Sequence, residues 1–146
     1  MAAPLPELDW PLTRPFWDAA RKGRLVMPRC EDCARHVWYP EERCPDCRGE
    51  RISWVDVSGR GRLFSWAEVK HLLHPPYEGQ IPYVSGLVTL EEDPRIRYVT
   101  RIVDCDPADL SIDLPMEVVF RTLTFRGVAG GVRAPVFRPA RTPARS

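Results

Sequence analysis

The chain has 146 residues, with 21 Lys/Arg against 20 Asp/Glu and a formal net charge of +1. So even a balance gives no global attraction to nucleic acid or anionic membrane, and the length supports one moderate core plus a small satellite, so two small modules are expected. Nothing at the N-terminus resembles a signal peptide, and the longest mostly apolar stretch, Tyr83 to Leu90, is far short of the roughly 20 residues that span a bilayer, so a soluble cytoplasmic protein is expected, with no membrane partner.

In chain order, Met1 to Pro11 is rich in proline and acid and has no period. Thr13 is placed as an N-cap and Pro15 in a first turn, and Leu12, Phe16 and Ala20 recur at helical spacing until Gly23, predicting a short amphipathic helix. Phe16 and Trp17 are adjacent, about 100° apart on such a helix. Either one of them faces a partner, or both cover the modules that follow.

Leu25-Val26-Met27 reads as a strand leading to Cys30-Glu31-Asp32-Cys33, and Val37-Trp38-Tyr39-Pro40 returns the chain to Cys44-Pro45-Asp46-Cys47. Two Cys-x-x-Cys pairs supply four thiolates from two tight turns, which suits a tetrahedral ion. Cys30, Cys33, Cys44 and Cys47 are therefore the metal ligands of a zinc ribbon; two disulfides fit poorly in a reducing compartment, whereas iron in a rubredoxin-like site would take the same ligands. Four cysteines leave no open position, so the ion is structural and His36 is left as a surface loop residue. Ala34 and Arg48 stand where such turns favour glycine, so the first turn, with Gly49 aiding only the second, is expected to differ slightly in shape.

From Ile52 the pattern is one of strands: Ile52 to Val57, a turn or bulge at Gly59-Arg60-Gly61, then Arg62 to Lys70 with Phe64 and Trp66 on one face. A long loop, His71 to Pro82, precedes a hairpin of Tyr83 to Leu90 and Arg95 to Val103, turned at Glu91 to Pro94, with Ile96, Tyr98 and Ile102 alternating with arginines. Asp104 to Leu114 is acidic and irregular. Met116 to Phe125 and Val132 to Phe137 supply the last strands around a Gly127 to Gly131 turn. Short strands with Gly/Pro turns argue for a small closed barrel of OB type. The expected plan is mainly β: an N-terminal extension and helix over 1–23, a zinc ribbon over 24–52, an OB-fold domain over 53–139 and a disordered tail over 140–146.

A Phe-Trp helix, a four-cysteine ribbon, Ser58-Gly59-Arg60-Gly61, Pro82-Tyr83-Val84 and Pro135-Val136-Phe137-Arg138-Pro139 follow one another in an order that resembles the acyl-CoA-associated family with a rubredoxin-like zinc ribbon and an OB fold. The resemblance runs from about Phe16 to Pro139; Leu114-Pro115-Met116 departs from it, since the family usually has glycine before the methionine. It implies an accessory subunit of a thiolase-like aldolase or acyl-transfer enzyme, or of a hydratase, that helps to bind CoA or complete the substrate channel, as in steroid side-chain or fatty-acyl degradation. The nucleophile would belong to the partner.

A CoA thioester needs cations for its phosphates and apolar or aromatic surface for the rest. Arg60, Arg62, Arg95 and Arg97, with Phe64 and Trp66, are the candidate contacts on the barrel; Arg101, Arg121, Arg126 and Arg133 lie on its other strands and turns, although arginines alternating with apolar residues are also the ordinary wet face of a strand. No serine sits in a nucleophile elbow, and Cys105 lies between Asp104 and Asp106, whose charge disfavours a thiolate. His71 and His74 are the only acid–base candidates, carried on the long loop. The rival class is single-stranded nucleic-acid binding by the ribbon and barrel, but Arg51 to Pro139 holds eleven basic and eleven acidic residues, not a basic excess, so nucleic acid is disfavoured.

Overall fold

The computed structural model describes residues 5–141. The extension from Met1 and the tail expected to be disordered lie partly outside this range, at 1–4 and 142–146. The one α-helix among the described residues, α1 (Arg14–Arg21), buries Phe16, Ala19 and Ala20 at helical spacing. Thr13 is its N-cap and Pro15 sits in its first turn, but the threonine side chain makes no capping bond. Its end is the better determined one. Gly23 adopts φ +73°, its N–H donates to Ala20 O at 3.0 Å and the Arg24 N–H donates to Ala19 O at 2.9 Å, the paired bonds of a Schellman cap that only a left-handed residue at this position permits without strain.

Strand β1 (Val26–Cys30) pairs antiparallel with β2 (Ile52–Asp56), from Val26 against Asp56 to Cys30 against Ile52. The ribbon's hairpin thus closes on β2. The segment expected to return the chain, Val37 to Pro40, forms no strand: it is held by one bridge between Arg29 and His36 and by the Val37 N–H donating to Pro28 O at 2.8 Å.

The remaining strands are β3 (Arg60–Val69), β4 (Tyr83–Leu90), β5 (Asp93–Ile102), β6 (Pro115–Thr124) and β7 (Gly131–Pro139). They close in the order β3-β4-β5-β7-β6, with β6 returning to β3 and one parallel pairing, Ile102 with Phe137. This is a five-stranded OB barrel. Gly61 is required where β3 crosses β4, since a Cβ there would collide with the Thr89 carbonyl oxygen. Ala140, just past β7, still donates its N–H to Pro115 O at 2.9 Å.

Alternation puts Val84, Val88, Leu90, Ile96, Tyr98 and Ile102 inside the barrel beside Leu63, Met116 and Phe137. Phe16, Leu25 and Met27 join this same cluster, so the helix and first strand are roofed by the barrel core and not by one of their own. Both helix aromatics turn inward. Phe16 lies 4.9 Å from Trp17, 5.5 Å from Trp38 and 6.2 Å from Tyr98 between ring centres, and Trp17 packs on the same cluster. The ribbon tip has only Cys30, Val37 and Cys44, with Ile52 against them.

Alternation fails at one place. Leu63 pairs with Val88 but Ser65 with Leu87, so Phe64 and Ser65 together oppose one residue in a β-bulge. The bulge corrects the expectation that Phe64 and Trp66 share a face. Phe64 is 41% exposed on the outer surface, whereas Trp66, level with the inward Gly86, packs on the core.

Candidate metal centre and binding face

The two cysteine turns are built alike. Ala34 donates its N–H to Cys30 O at 2.8 Å and Arg48 to Cys44 O at 2.9 Å; the Cys30 and Cys44 N–H groups donate in turn to Arg35 O and Gly49 O. Both Ala34 and Arg48 take φ 65°. The first turn therefore does not differ in shape for want of glycine: each turn tolerates a left-handed non-glycine residue, at a cost of roughly 1 kcal/mol that the bonded turn must offset.

The four sulfurs all lie within 4.8 Å of one another, with Cys30 Sγ to Cys47 Sγ and Cys33 Sγ to Cys44 Sγ at 3.6 Å. A tetrahedron of Zn–S bonds near 2.3 Å has edges of about 3.8 Å, whereas a disulfide would bring two sulfurs to about 2 Å. The donor set fits a tetrahedral thiophilic ion. Backbone N–H groups aimed at sulfur support it: those of Cys47 and Asp46 bring the Cys44 thiol down to about 7 against its burial, and Gly49 N–H reaches Cys47 Sγ at 3.4 Å. Against the lowering by that Gly49 N–H, hydrogen bonding with Cys30, then burial, then the Cys33 and Cys44 sulfurs push the Cys47 thiol up to about 12. A dication removes that conflict by holding all four as thiolates, filling every coordination position and leaving none for substrate.

His36 is not a surface residue. Its side chain is 11% exposed and its Nδ1 lies 3.7 Å from Oδ2 of Asp93, itself 8% exposed at the start of β5. Arg95 completes the junction by donating Nε and Nη2 to the two Asp93 oxygens at 2.9 Å each, which together with the Arg95 N–H holds the Asp93 carboxyl below its ordinary range against burial. A ribbon histidine thereby lies beside a barrel carboxylate.

The arginines and aromatics named from the sequence divide into three groups. Arg62 and Arg97 stand level across the outer face of β3, β4 and β5, each paired in register with Thr89, and the Arg97 guanidinium carbon lies 4.3 Å from the centre of the Phe64 ring. These three are together. Arg95 is tied to Asp93, and Arg60 is level with Glu117 on the β6 side. Trp66 lies apart, beside Glu68 and the Asp106-Pro107-Ala108 turn. Further along the face Arg101 covers Tyr83 at 4.3 Å and donates Nη1 to Gln80 Oε1 at 2.8 Å. His71 and His74 both border a shallow depression of about 210 Å³ in the long loop, with Leu73, Tyr77 and Tyr83, and neither makes a side-chain hydrogen bond among the described residues. Cys105 is half-buried, and burial, then Asp109 and its flanking aspartates, push its thiol up.

The profile described as the ChsH2 rubredoxin-like zinc ribbon domain matches residues 17–53, and that of the ChsH2 C-terminal OB-fold domain matches 54–121. A DUF35 domain-containing scaffold protein of Methanocaldococcus jannaschii is 35% identical over 107 residues, covering 73% of this chain and 74% of that protein. This chain belongs to the ChsH2/DUF35 family. Its similarity extends to a probable enoyl-CoA hydratase alpha subunit of Thermomonospora curvata, 34% identical over 86% of this chain, which spans only 37% of that longer subunit. Among solved structures, a chain of the Ltp2-ChsH2(DUF35) aldolase superposes with a TM-score of 0.74 at 32% identity, covering 92% of this chain and 98% of that one.

The family assignment agrees with structural zinc in this DUF35 chain, and no helix among its described residues is long and apolar enough to cross a membrane. Two features escaped sequence reasoning. The approach of His36 to Asp93 joins residues 57 apart and has no local pattern; the exposure of the loop leucines Leu72 and Leu73 was equally invisible, because an apolar residue in a loop reads as readily for packing as for display.

Proposed function

We propose that this chain is a cytoplasmic accessory subunit, without a nucleophile of its own, of a thiolase-like aldolase or acyl-transfer enzyme, or of a hydratase, acting on CoA thioesters. The observation that carries this reading is the similarity to a chain of the Ltp2-ChsH2(DUF35) aldolase over almost the whole of both chains. Similarity to scaffold proteins and to part of a hydratase subunit points the same way. Steroid side-chain or fatty-acyl degradation is the setting proposed.

In this role the zinc ribbon stiffens the N-terminal part and the barrel contributes to the CoA site. Arg62 and Arg97 are the proposed phosphate contacts, since both are outward, both lack a carboxylate partner among the described residues, and guanidinium groups meet phosphate oxygens bidentately. Phe64 would give the apolar wall beside them. Arg60, Arg95 and Trp66 would bear on CoA only from the barrel's flanks, and His71 and His74 would act on the reaction only where the loop borders the partner's active site.

The test is affinity purification of the tagged chain from its native cell, followed by assay of the recovered complex on CoA thioesters. A thiolase-like or hydratase subunit whose activity falls when this chain is removed supports the reading. Translation or RNA-processing proteins lost on nuclease treatment would replace it with nucleic-acid binding.

A further inference from the structure

The loop between β3 and β4 is pinned over residues 76–80 and bare at Leu72 and Leu73. Tyr77 is stacked on Tyr83 with ring centres 6.0 Å apart and sits edge-on to Phe125 at 5.1 Å. The Arg126 N–H donates to Pro76 O at 2.9 Å, Gln80 Nε2 donates to Thr124 O at 2.6 Å, and Arg126 pairs with Glu78. Residues 76–80 are thus fixed to β4, to the end of β6 and to the β6–β7 turn. Just before this segment, Leu73 is 88% exposed and Leu72 48%. Single exposed leucines are common on soluble proteins. Two in succession, directly before a segment that is itself fixed to the barrel, make a contiguous apolar knob. Beside the knob lies the depression of about 210 Å³ between Leu73, His74, Tyr77 and Tyr83, a recess able to accept one apolar side chain in return.

The charge around this feature selects its occupant. Within 70–82 the only carboxylate is Glu78, which is engaged by Arg126, and Lys70 is paired with Glu68 at 3.7 Å, so the cation left beside the loop is Arg101, which has no carboxylate partner among the described residues. Two copies of this chain meeting loop to loop would set the two Arg101 guanidinium groups near each other with no carboxylate between them. A nucleic-acid base would find the nearby rings already covered, since Arg101 lies over Tyr83.

We propose that Leu72 and Leu73 are the anchor by which this chain docks on its partner enzyme subunit, entering an apolar pocket rimmed by carboxylates, while the partner places an apolar side chain in the recess by Tyr77. This rests on the accessory-subunit reading and names the surface that reading needs. The anchor is separate from the Arg62–Phe64–Arg97 face, so assembly and CoA affinity are separable.

The experiment reconstitutes the full-length chain with the purified thiolase-like or hydratase subunit it accompanies and measures their Kd. Leu72→Asp/Leu73→Asp is expected to weaken association by about a hundredfold or more, and Leu73→Ala by about tenfold. Ile112→Asp, at a 71% exposed position on another loop, is expected to leave the Kd unchanged. Zinc content and circular dichroism equal to wild type establish that the variants are folded. If the wild-type chain binds and the double variant binds within about threefold of it, the anchor is refuted and the accessory reading stands. The anchor is also refuted if the chain alone dimerises and the double variant abolishes the dimer, since the occupant is then a second copy. If the wild-type chain joins no such subunit, both readings fall.

Discussion

The barrel and the ribbon tip are held together by different physics. Inside the barrel, Leu63, Val88, Met116 and Phe137 are essentially without solvent exposure, and removal of apolar surface from water is sufficient driving force. Between Glu31 and Arg51 the ribbon tip buries Val37 beside its cysteines and against Ile52, sends Trp38 alone onto the barrel core, and has its ion pairs Arg51–Asp32, Arg35–Asp46 and Arg43–Glu50 on the surface, where such pairs contribute little. A segment this short of apolar contact is ordered by its metal. Stability in one region is spread over many side chains; in the other it is concentrated in four sulfurs.

The largest effect should come from breaking that concentration. Removing zinc with a chelator, or Cys30→Ser or Cys47→Ser, forfeits a binding free energy on the order of 10 kcal/mol. The expected outcome is an insoluble or partner-free protein; limited proteolysis of any soluble fraction should cut first between Glu31 and Arg51. A soluble, fully assembled serine variant would show that the tip does not depend on its metal. Next in size is Phe137→Ala, which empties the most completely buried large position of the barrel and should cost about 3–5 kcal/mol in denaturant unfolding. Because Phe16, Leu25 and Met27 share that core, the loss should appear in one transition that includes the helix.

The two regions were unequally legible in the sequence. Cysteine spacing alone located the metal site, because thiolate coordination permits few spacings. The inward residues Ile96, Tyr98 and Ile102 of β5 followed from period-two alternation. What the sequence hid were interruptions and long-range pairings. Phe64 and Trp66 have the spacing of neighbours on one face, and only the bulge opposite Leu87 separates them. His36 had no reason to be removed from the surface until Asp93, on another module, was placed beside it. Ala34 and Arg48 show that a left-handed turn need not carry glycine when its hydrogen bonds and ligands define it.

The junction between the two regions gives a smaller effect with a pH signature. Asp93 has a folded pKa below its unfolded value, first through the side-chain bonds from Arg95. Below that folded value both states carry the proton and the contribution is absent; it grows as pH rises toward the unfolded value near 4, and is complete above it. Asp93→Asn should therefore cost roughly 1–3 kcal/mol at neutral pH, and the gap to wild type should close as pH falls below about 4. A gap independent of pH would mean that packing, and not the charge, is what the carboxylate supplies.

The smallest effect on folding is expected at the outer face. Arg97 is exposed and its contact with Phe64 is a surface cation–π pair, so Arg97→Ala should change unfolding stability by no more than about 1 kcal/mol. Arg62→Ala should do as little, since its one bond is to the Asp113 carbonyl at 3.0 Å, at the surface. The informative measurement is then made in the assembled enzyme. If these arginines meet CoA phosphates, the double substitution should raise KM for the CoA thioester by about tenfold with kcat nearly unchanged, because contacts to the non-reacting nucleotide hold ground state and transition state alike. The increase should shrink for a truncated pantetheine thioester that lacks the nucleotide. An equal rise for both substrates would assign Arg62 and Arg97 to positioning the subunit, and an unchanged KM would return them to the ordinary solvent face of a sheet.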